Sequence, residues 1–542
     1  MTPRSHSSPS IGHTSPPPSE EEDEINNKSN KKRPEERPIH TSEIGTLKKL
    51  PNHGTAWLGS SSGVYFVNTV RRAFSAAFAA NSGGANAVPA SEDILTGEDA
   101  EGRSYNGPIT EGPSATDGLP RMLSSALGRP PERKIAVELV MSFFQAWHPL
   151  FPFLHGPTFL KDMETLYSQP LPTTGSYPGS HPPSSTAETA PDLRKIVTFQ
   201  LIINIASLDR SDIHLSAESR IKSTADVARL ASSMALNHDL ATIQTLLAAE
   251  LYLVATLAIR QASTVAGIIV KLIYHAGLHR CPLRYAQLSL DDCEIRKRIF
   301  WSAYALDRHC NLSLGDPNVI QDDDIDVCLS GPELHKAVAR DLLTSPEQEI
   351  GLHMANPHAG LASGPVSDDP RVVTEGPEAQ EKRLREAALT AFVQWGKLTG
   401  RIIEIFHKSI NHRFPKHEQI LRLTSDIETW WNNLPSFLTG EDSTDTAPHQ
   451  QHLSSFFKIL YHRLLLLVNR PRLSLDQSTP EFQHGLQVCI RASRNILAGL
   501  KSHKSHGQSM FLPGLLSATW MSGLIIAFAC QLGKYAKVRA CS

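Results

Sequence analysis

The sequence predicts an all-α fold: a large multi-helix domain with a disordered N-terminal region and disordered insertions. Apolar residues recur at helical spacing through most of the chain beyond residue 130, whereas alternating β-strand patterns are scarce. Stretches dense in Pro, Ser, Gly and charged residues separate the helical segments. A chain of 542 residues with 40% hydrophobic residues can bury a sizeable core.

Residues 1–54 are predicted to be a disordered N-terminal segment. Three prolines at 16–18 precede an acidic run at 20–24, and such a composition buries too little apolar surface to compensate the entropy lost on ordering. A basic cluster follows, which consists of Lys31, Lys32 and Arg33. Such a cluster is typical of a nuclear import signal or a phosphate contact. The alternative is a solvated charge run, because two glutamates follow at 35 and 36.

Two short segments separate this region from the helical body. Residues 55–80 are apolar and aromatic, and a Gly-Ser turn there is predicted to lead into a short helix. Residues 81–129 return to Gly, Ala, Ser and Pro, which indicates a linker.

The first part of the body is predicted over residues 130–330. Pro131 suits the first turn of a helix, and Ile135, Leu139 and Phe143 then recur at helical spacing. A linker dense in Pro, Ser and Thr follows at about 168–190. Beyond it, helices are predicted over 193–208, 221–234, 243–257, 262–278 and 295–306.

A disordered insertion is predicted at 331–380, and a C-terminal helical part at 381–542. Its helices are predicted over 382–408, 417–433, 451–469, 481–501 and 514–537. The uncharged stretch 511–532 is long enough to cross a bilayer. Small and polar residues lower its hydrophobicity, however, so we predict a buried helix and no membrane partner.

Composition and motifs exclude several classes of function. The net charge of −2 gives no overall attraction to nucleic acid. The seven cysteines are odd in number and scattered, which indicates reduced thiols. No glycine-rich phosphate loop, HExxH or GxSxG motif is present. The sequence therefore predicts that the protein is not an enzyme.

Two groups of residues admit a metal interpretation that we do not favour. His275, His279 and Cys281 have ligand-like spacing, but a helix-capping role for His279 explains the pattern without a metal. The acidic residues at 322–326 lack the glycine and distal glutamate of a calcium loop and are predicted to form a polar turn. His503 and His506, in a lysine-rich stretch, are predicted to be exposed.

An ordered series of short motifs is more specific. It runs through AGLHR at 276–280, EIRKRIFW at 294–301, LDR at 306–308, GDP at 315–317 and the acidic residues from 322. This series resembles the middle homology, or regulatory, domain of fungal zinc-cluster transcription factors. The residues that carry the likeness are Arg296, Arg298, Phe300, Trp301, Asp307, Arg308, Gly315 and Pro317. Other segments also resemble the family, among them HPLFPFLH at 148–155. The resemblance therefore covers residues 57–78 and 130–535.

Two positions depart from the family pattern, because Asp316 stands where arginine is usual and Ser330 where proline is common. The residues themselves suggest a structural role for the motif. Phe300 and Trp301 are bulky and apolar, so we expect them to anchor their helix in the core. Asp307 and Arg308 are expected to form a buried ion-pair network with the basic residues at 296 and 298.

The resemblance implies a regulator of RNA polymerase II transcription in the nucleus, with DNA as a partner. It also allows a homodimer, the transcription machinery or a small-molecule effector as partners. Zinc is expected only for the family's six-cysteine cluster, which this chain lacks, since Cys281 is its first cysteine; no cofactor is predicted for the chain itself. A regulator that acts through protein partners without binding DNA is one alternative. An all-α enzyme or lipid-handling protein is another.

Overall fold

The computed structural model describes residues 46–49, 55–58, parts of 60–74, 127–168, 192–329, 377–407, 415–440, 452–505 and 508–535. The basic cluster at 31–33, His506 and most of the predicted linkers and disordered segments lie outside these residues. Within them, the predicted all-α class is confirmed.

Thirteen helices are found in the described part of the chain. Those before residue 330 are α1 (Arg133–Ala146), α2 (Gly156–Ser168), α3 (Leu193–Ser207), α4 (Thr224–Met234), α5 (Leu240–Ala255), α6 (Ile259–His275) and α7 (Leu290–Leu314). Those after it are α8 (Pro377–His407), α9 (His417–Asn432), α10 (Ser436–Thr439), α11 (His452–Asn469), α12 (Pro480–Ser505) and α13 (Leu515–Gln531). Short 3-10 turns lie at Pro282–Arg284, Asp322–Asp324 and Arg470–Ser474.

A small β-hairpin precedes the helices and was not predicted. Strands β1 (Thr46–Lys49) and β2 (Thr55–Leu58) pair antiparallel, with Thr46 opposite Leu58.

Helix α7 is longer than the predicted 295–306 because it is capped at both ends. The Ser289 hydroxyl accepts the Asp292 backbone N–H at 3.1 Å, and the next turn carries two aspartates that favour a helix N-terminus. Gly315 ends the helix in the left-handed region at φ 78°. Both signals lie outside the apolar run on which the prediction rested.

Helix α7 joins the two halves of the body. Every residue from 299 through 312 is buried, and the helix packs against α5 and α6 on one side and α8 on the other. Helices α8, α11, α12 and α13 extend the same hydrophobic core. The helices on both sides of the 331–380 insertion therefore share one continuous core.

Helix α13 packs against α12 and α11, and its buried residues include Met521, Ile525 and Phe528. No helix in the described ranges combines the length and apolar character that crossing a membrane requires.

His503 corrects one sequence-based prediction, because it is buried rather than exposed. Its ring contacts the Ser455 hydroxyl at 3.2 Å and donates from Nε2 to the Ser509 carbonyl at 2.8 Å. The surrounding lysines suggested an exposed stretch, but position 503 falls on the core side of α12.

His148 is expected to make the protein sensitive to acid. It is buried, and Nε2 donates to the Leu154 carbonyl at 2.9 Å. Burial, aided by nearby Arg298 and Arg385, lowers its pKa from 6.5 to about 4. Between pH 6.5 and pH 4 the imidazole of His148 is protonated in the unfolded chain but neutral in the folded protein. The contribution of His148 to the free energy of unfolding is therefore present above pH 6.5 and is lost as the pH falls towards 4.

The variant His148→Gln keeps an N–H for Leu154 but does not titrate. We expect its free energy of unfolding, relative to the unmodified protein, to rise by about 2 kcal/mol between pH 7 and pH 5. Urea unfolding at the two pH values measures this difference. His484→Gln, at an exposed position of α12, is the control and should show no such change. Equal pH dependence of His148→Gln and the unmodified protein would contradict the prediction.

Candidate functional site

The family-like motif lies on the buried middle of α7. Phe300 and Trp301 are 0% and 2% exposed, with their ring centroids 5.0 Å apart. The Trp301 ring also makes an edge contact with Tyr304, and its Nε1 donates to the Cys328 carbonyl at 3.4 Å. The two aromatic side chains therefore hold α7 in the core and contact the segment that follows it.

One turn further along α7, a charged network is centred on the buried side chains of Asp307 and Arg308, both 1% exposed, and reaches the half-buried Asp322. Arg308 donates through Nη1 to Asp307 at 2.8 Å and through Nη2 to Asp322 at 3.2 Å. The Asp322 carboxylate also accepts the Tyr304 hydroxyl at 2.6 Å, and Asn311 donates to Asp307 at 2.8 Å. Burial opposes the charge on Arg308, but the neighbouring carboxylates raise its pKa. The guanidinium therefore stays charged and fixes the 318–328 segment against α7.

The predicted partners of this network need correction. Arg298 lies one helical turn from Glu294, with Nε 3.6 Å from its carboxylate, and Arg296 reaches the Ala276 carbonyl at 3.5 Å. Neither joins Asp307 and Arg308. Asp322, predicted only as part of a polar turn, takes their place. Gly315 ends α7 in the left-handed region, and the chain after it returns to the helix, where the Ile320 backbone N–H donates to Asp307 at 3.3 Å. This return brings Asp322 to Arg308.

Helix α8 covers the network closely. A Cβ at Gly400 would lie 3.0 Å from Arg308 Nε, and one at Gly396 would lie 3.1 Å from the Tyr304 ring. The two glycines are four residues apart and thus on one face of α8. They allow the backbone of α8 to lie against the side chains of α7.

A pocket of about 90 Å³ lies beyond the next turn of α7. We call it the α7–α13 pocket, because the end of α7 and the start of α13 form two of its walls. Besides the end of α7, four distant parts of the chain line it: residues 61–63, the α5–α6 junction, the C-terminal half of α11 with Arg470, and residues 511–521. Most of the lining is apolar, and includes Leu257, Ile259, Leu312, Leu466 and Trp520.

Three basic side chains line the same pocket. Arg463 is 7% exposed, and burial, followed by the nearby Arg470 cation, lowers its pKa to about 10. His309 is 5% exposed, and burial together with Arg463 lowers its pKa to about 3, so the imidazole is neutral. Arg470 donates through Nη2 to the Ser60 and Ser61 carbonyls at 3.0 and 2.7 Å. Sequence motifs did not indicate this set, because its members lie in different helices.

Comparisons with known proteins relate this architecture to a family. Residues 140–335 match the fungal specific transcription factor domain. A protein of Fusarium proliferatum described as a probable transcription factor, FUP6, is 40% identical over 523 residues, which cover 92% of this chain and 72% of that protein. The chain belongs to the fungal-specific transcription factor family.

More distant relatives agree with this assignment. The transcriptional activator protein acu-15 of Neurospora crassa is 22% identical over 68% of this chain, and the activator of stress genes 1 of Saccharomyces cerevisiae is 21% identical over 72% of it. The chain spans about a third of the length of these two proteins, namely 34% and 36%. No solved structure matches the chain. The protein is thus a fungal transcription regulator.

The family match at residues 140–335 includes all of the motif on α7 but only part of the α7–α13 pocket. The aromatic pair and the Asp307–Arg308 network lie wholly within residues 140–335. The α7–α13 pocket combines matched residues, such as His309 and Leu312, with residues from α11 and α13 outside the match. The pocket therefore connects the fungal-specific domain to the C-terminal helices.

His275, His279 and Cys281, whose spacing is similar to that of metal ligands, make other contacts in the structure. His279 packs on the Tyr274 ring at 4.9 Å, and His275 on the His238 ring at 5.2 Å. The Cys281 backbone N–H donates to Asp326 at 2.7 Å. Among the residues that the structure describes, no cluster of three His, Cys, Asp or Glu side chains could hold a metal.

Proposed function

We propose that this member of the fungal-specific family controls RNA polymerase II transcription in the nucleus, and that its helical body is the regulatory part. The 40% identity to a probable transcription factor over 92% of the chain carries this proposal. The fold supports it, since a continuous core joins the family match to the C-terminal helices and gives the body a single unit that can respond as a whole. No catalytic role is proposed.

DNA is the principal partner in this proposal, contacted by the complete protein. Zinc enters only through the six-cysteine cluster typical of the family, and the cysteines of this chain are not assigned to it. A homodimer, the transcription machinery and a small-molecule effector are the other partners that the family relationship supports.

A tethering experiment tests the regulatory role without requiring that this chain bind DNA itself. The chain is fused to a heterologous DNA-binding domain, and transcription of a reporter with the cognate sites is measured in a fungal host. We expect the fusion to change reporter output relative to the DNA-binding domain alone. A nuclear, stably expressed fusion that leaves the output unchanged would contradict the proposal.

A mobility-shift titration of the same chain across a salt series separates direct from indirect action. Phosphate contacts weaken steeply as salt rises, whereas sequence-selective contacts keep a preference for their site. Selective binding would assign DNA recognition to these residues. An active tethered fusion without selective binding would favour a regulator that acts through protein partners.

A further inference from the structure

We propose that the α7–α13 pocket binds a small organic carboxylate, whose acid group pairs with Arg463 and whose short aliphatic part lies against the leucine-rich walls. This assigns a ligand class and a binding site beyond the transcriptional role.

Arg463 provides the first argument. Its side chain is 7% exposed and faces the pocket, and Nη1 has no hydrogen-bond partner. No carboxylate of the described residues lies within salt-bridge distance of it, and the nearest charge that acts on it is another cation, Arg470. Within the described ranges, its guanidinium lies over the ring of Trp395, whose centroid is 5.6 Å from Cζ. A buried cation without a counter-ion is costly, so an anion at this position would remove a penalty that the free protein carries.

The start of α13 adds a second positive element at the same wall. Gly514 is the N-cap of this 17-residue helix, and Leu516 and Ser517 of its first turn line the pocket. The first backbone N–H groups of a helix lack intrahelical acceptors and carry partial positive charge. Gly514 has φ 96°, and a Cβ there would collide with Arg463 Nη1. Glycine thus lets the guanidinium approach the helix end, which brings two positive groups together without an anion.

His309 provides a hydrogen-bonding group on the α7 side. Its Nδ1 is buried and has no partner. Because burial keeps the ring neutral, one ring nitrogen carries a proton and can donate to a carboxylate oxygen. Arg463 and His309 therefore offer a charged and a neutral donor from two different helices.

The pocket's size and lining limit the rest of the ligand. Its volume of about 90 Å³ is below the ~150 Å³ of an apolar cavity that holds benzene, so the ligand has at most about the six non-hydrogen atoms of benzene. The leucine and isoleucine side chains offer no donors, and the Ser313 and Ser517 hydroxyls already donate to the His309 and Gly514 carbonyls. Of the serines in the lining, this leaves the Ser61 hydroxyl unpaired. This favours a carboxylate with an aliphatic group over inorganic phosphate, whose oxygens would need more partners.

Backbone strain at the pocket supports the assignment independently. Leu257 has φ 64°, and within the described residues no other non-glycine residue has a positive φ. It occupies the position after α5 where helices usually place glycine, with the next N–H, of Ala258, donating to Leu253 at 2.8 Å. Strained residues of this kind cluster at binding sites, where the surrounding structure holds them. Here Leu257 directs an apolar side chain into the pocket.

Isobutyrate, a branched acid of six non-hydrogen atoms, is the probe for this site. Calorimetry and thermal unfolding with the full chain should show saturable binding and a rise in Tm. Isobutyramide has the same shape without the charge, and we expect it to bind about 10- to 100-fold more weakly, since a charged hydrogen bond is lost. Equal binding of acid and amide, or binding of inorganic phosphate in preference to isobutyrate, would overturn the proposal.

Arg463→Met separates ligand binding from a structural role for the arginine. If the site binds an anion, this variant loses the isobutyrate-induced shift, while the ligand-free protein keeps or gains thermal stability because a buried unpaired charge is gone. Lys458→Met removes an exposed cation from the same helix and should leave the shift intact. An Arg463→Met protein that still binds isobutyrate with unchanged affinity would overturn the proposal.

Ser517→Leu serves if Arg463→Met does not fold. Ser517 is half-buried and lines the pocket, so leucine should narrow the pocket without disturbing the core. We expect the variant to lose isobutyrate binding, and retained binding at unchanged affinity would show that the ligand lies elsewhere.

Discussion

Replacing Arg308 with methionine is expected to lower the free energy of unfolding by about 3 to 5 kcal/mol, because it leaves Asp307 charged and buried without its partner. Both side chains are 1% exposed, so water cannot take over the lost interaction. The same substitution removes one of the two hydrogen bonds that hold Asp322 and the segment after α7, and leaves the one from the Tyr304 hydroxyl. Urea unfolding of the full chain, followed by circular dichroism, measures the loss.

Arg422→Met is the matched control. It also breaks an arginine–carboxylate pair on a helix, with Glu418, but both side chains are well exposed at 74% and 68%. We expect a loss below about 1 kcal/mol there. The double variant Asp307→Asn with Arg308→Met should recover part of the stability, since no lone charge remains buried. Equal losses for Arg308→Met and Arg422→Met would show that the buried network does not stabilise the fold.

Trp301→Ala is expected to cost about 3 to 5 kcal/mol through the cavity that it leaves between α7 and its neighbours. The indole contacts the rings of Phe300 and Tyr304, and the Lys397 ammonium lies 5.5 Å from its centroid. Loss of the indole would therefore weaken the contact between α7 and α8, in addition to the packing of the aromatic rings within α7. Thermal and urea unfolding both report the change.

Leu290→Ala tests the same helix at a position that does not contact the core. Leu290 is 74% exposed, so its truncation should change stability by less than about 0.5 kcal/mol. If Trp301→Ala were as mild as this control, the aromatic pair would not be an anchor of α7.

The helical architecture was predictable because amphipathic spacing is a local signal. The described structure places α3 at Leu193–Ser207 and α9 at His417–Asn432, within a residue or two of the predicted ranges. The prediction for α7 was too short, since its buried half carries Asp307 and Arg308, which interrupt an apolar pattern. Helix α2 was missed, because Gly156 and Pro157 at its start are residues more typical of turns.

The site was only partly predictable. Motif order identified Asp307 and Arg308 as a pair, but their partner Asp322 depends on a chain reversal after Gly315 that charge patterns do not encode. The α7–α13 pocket was not predictable at all, since Leu257, His309 and Arg463 meet only through tertiary packing. One sequence signal of the pocket is Arg463 itself, a charged residue among the leucines of an apolar helix. A charge buried there without a partner is costly, which indicates a binding site.

The contact of Arg470 with the Ser60 and Ser61 carbonyls bears on how the chain folds. These residues are separated by about 410 positions, and contacts between such distant positions form slowly because a long loop must close first. During synthesis the serine segment emerges long before its arginine partner, and Phe66 emerges long before Phe528 of α13, against which its ring packs. These contacts require both ends of the described chain and form only after the C-terminal helices have been synthesised.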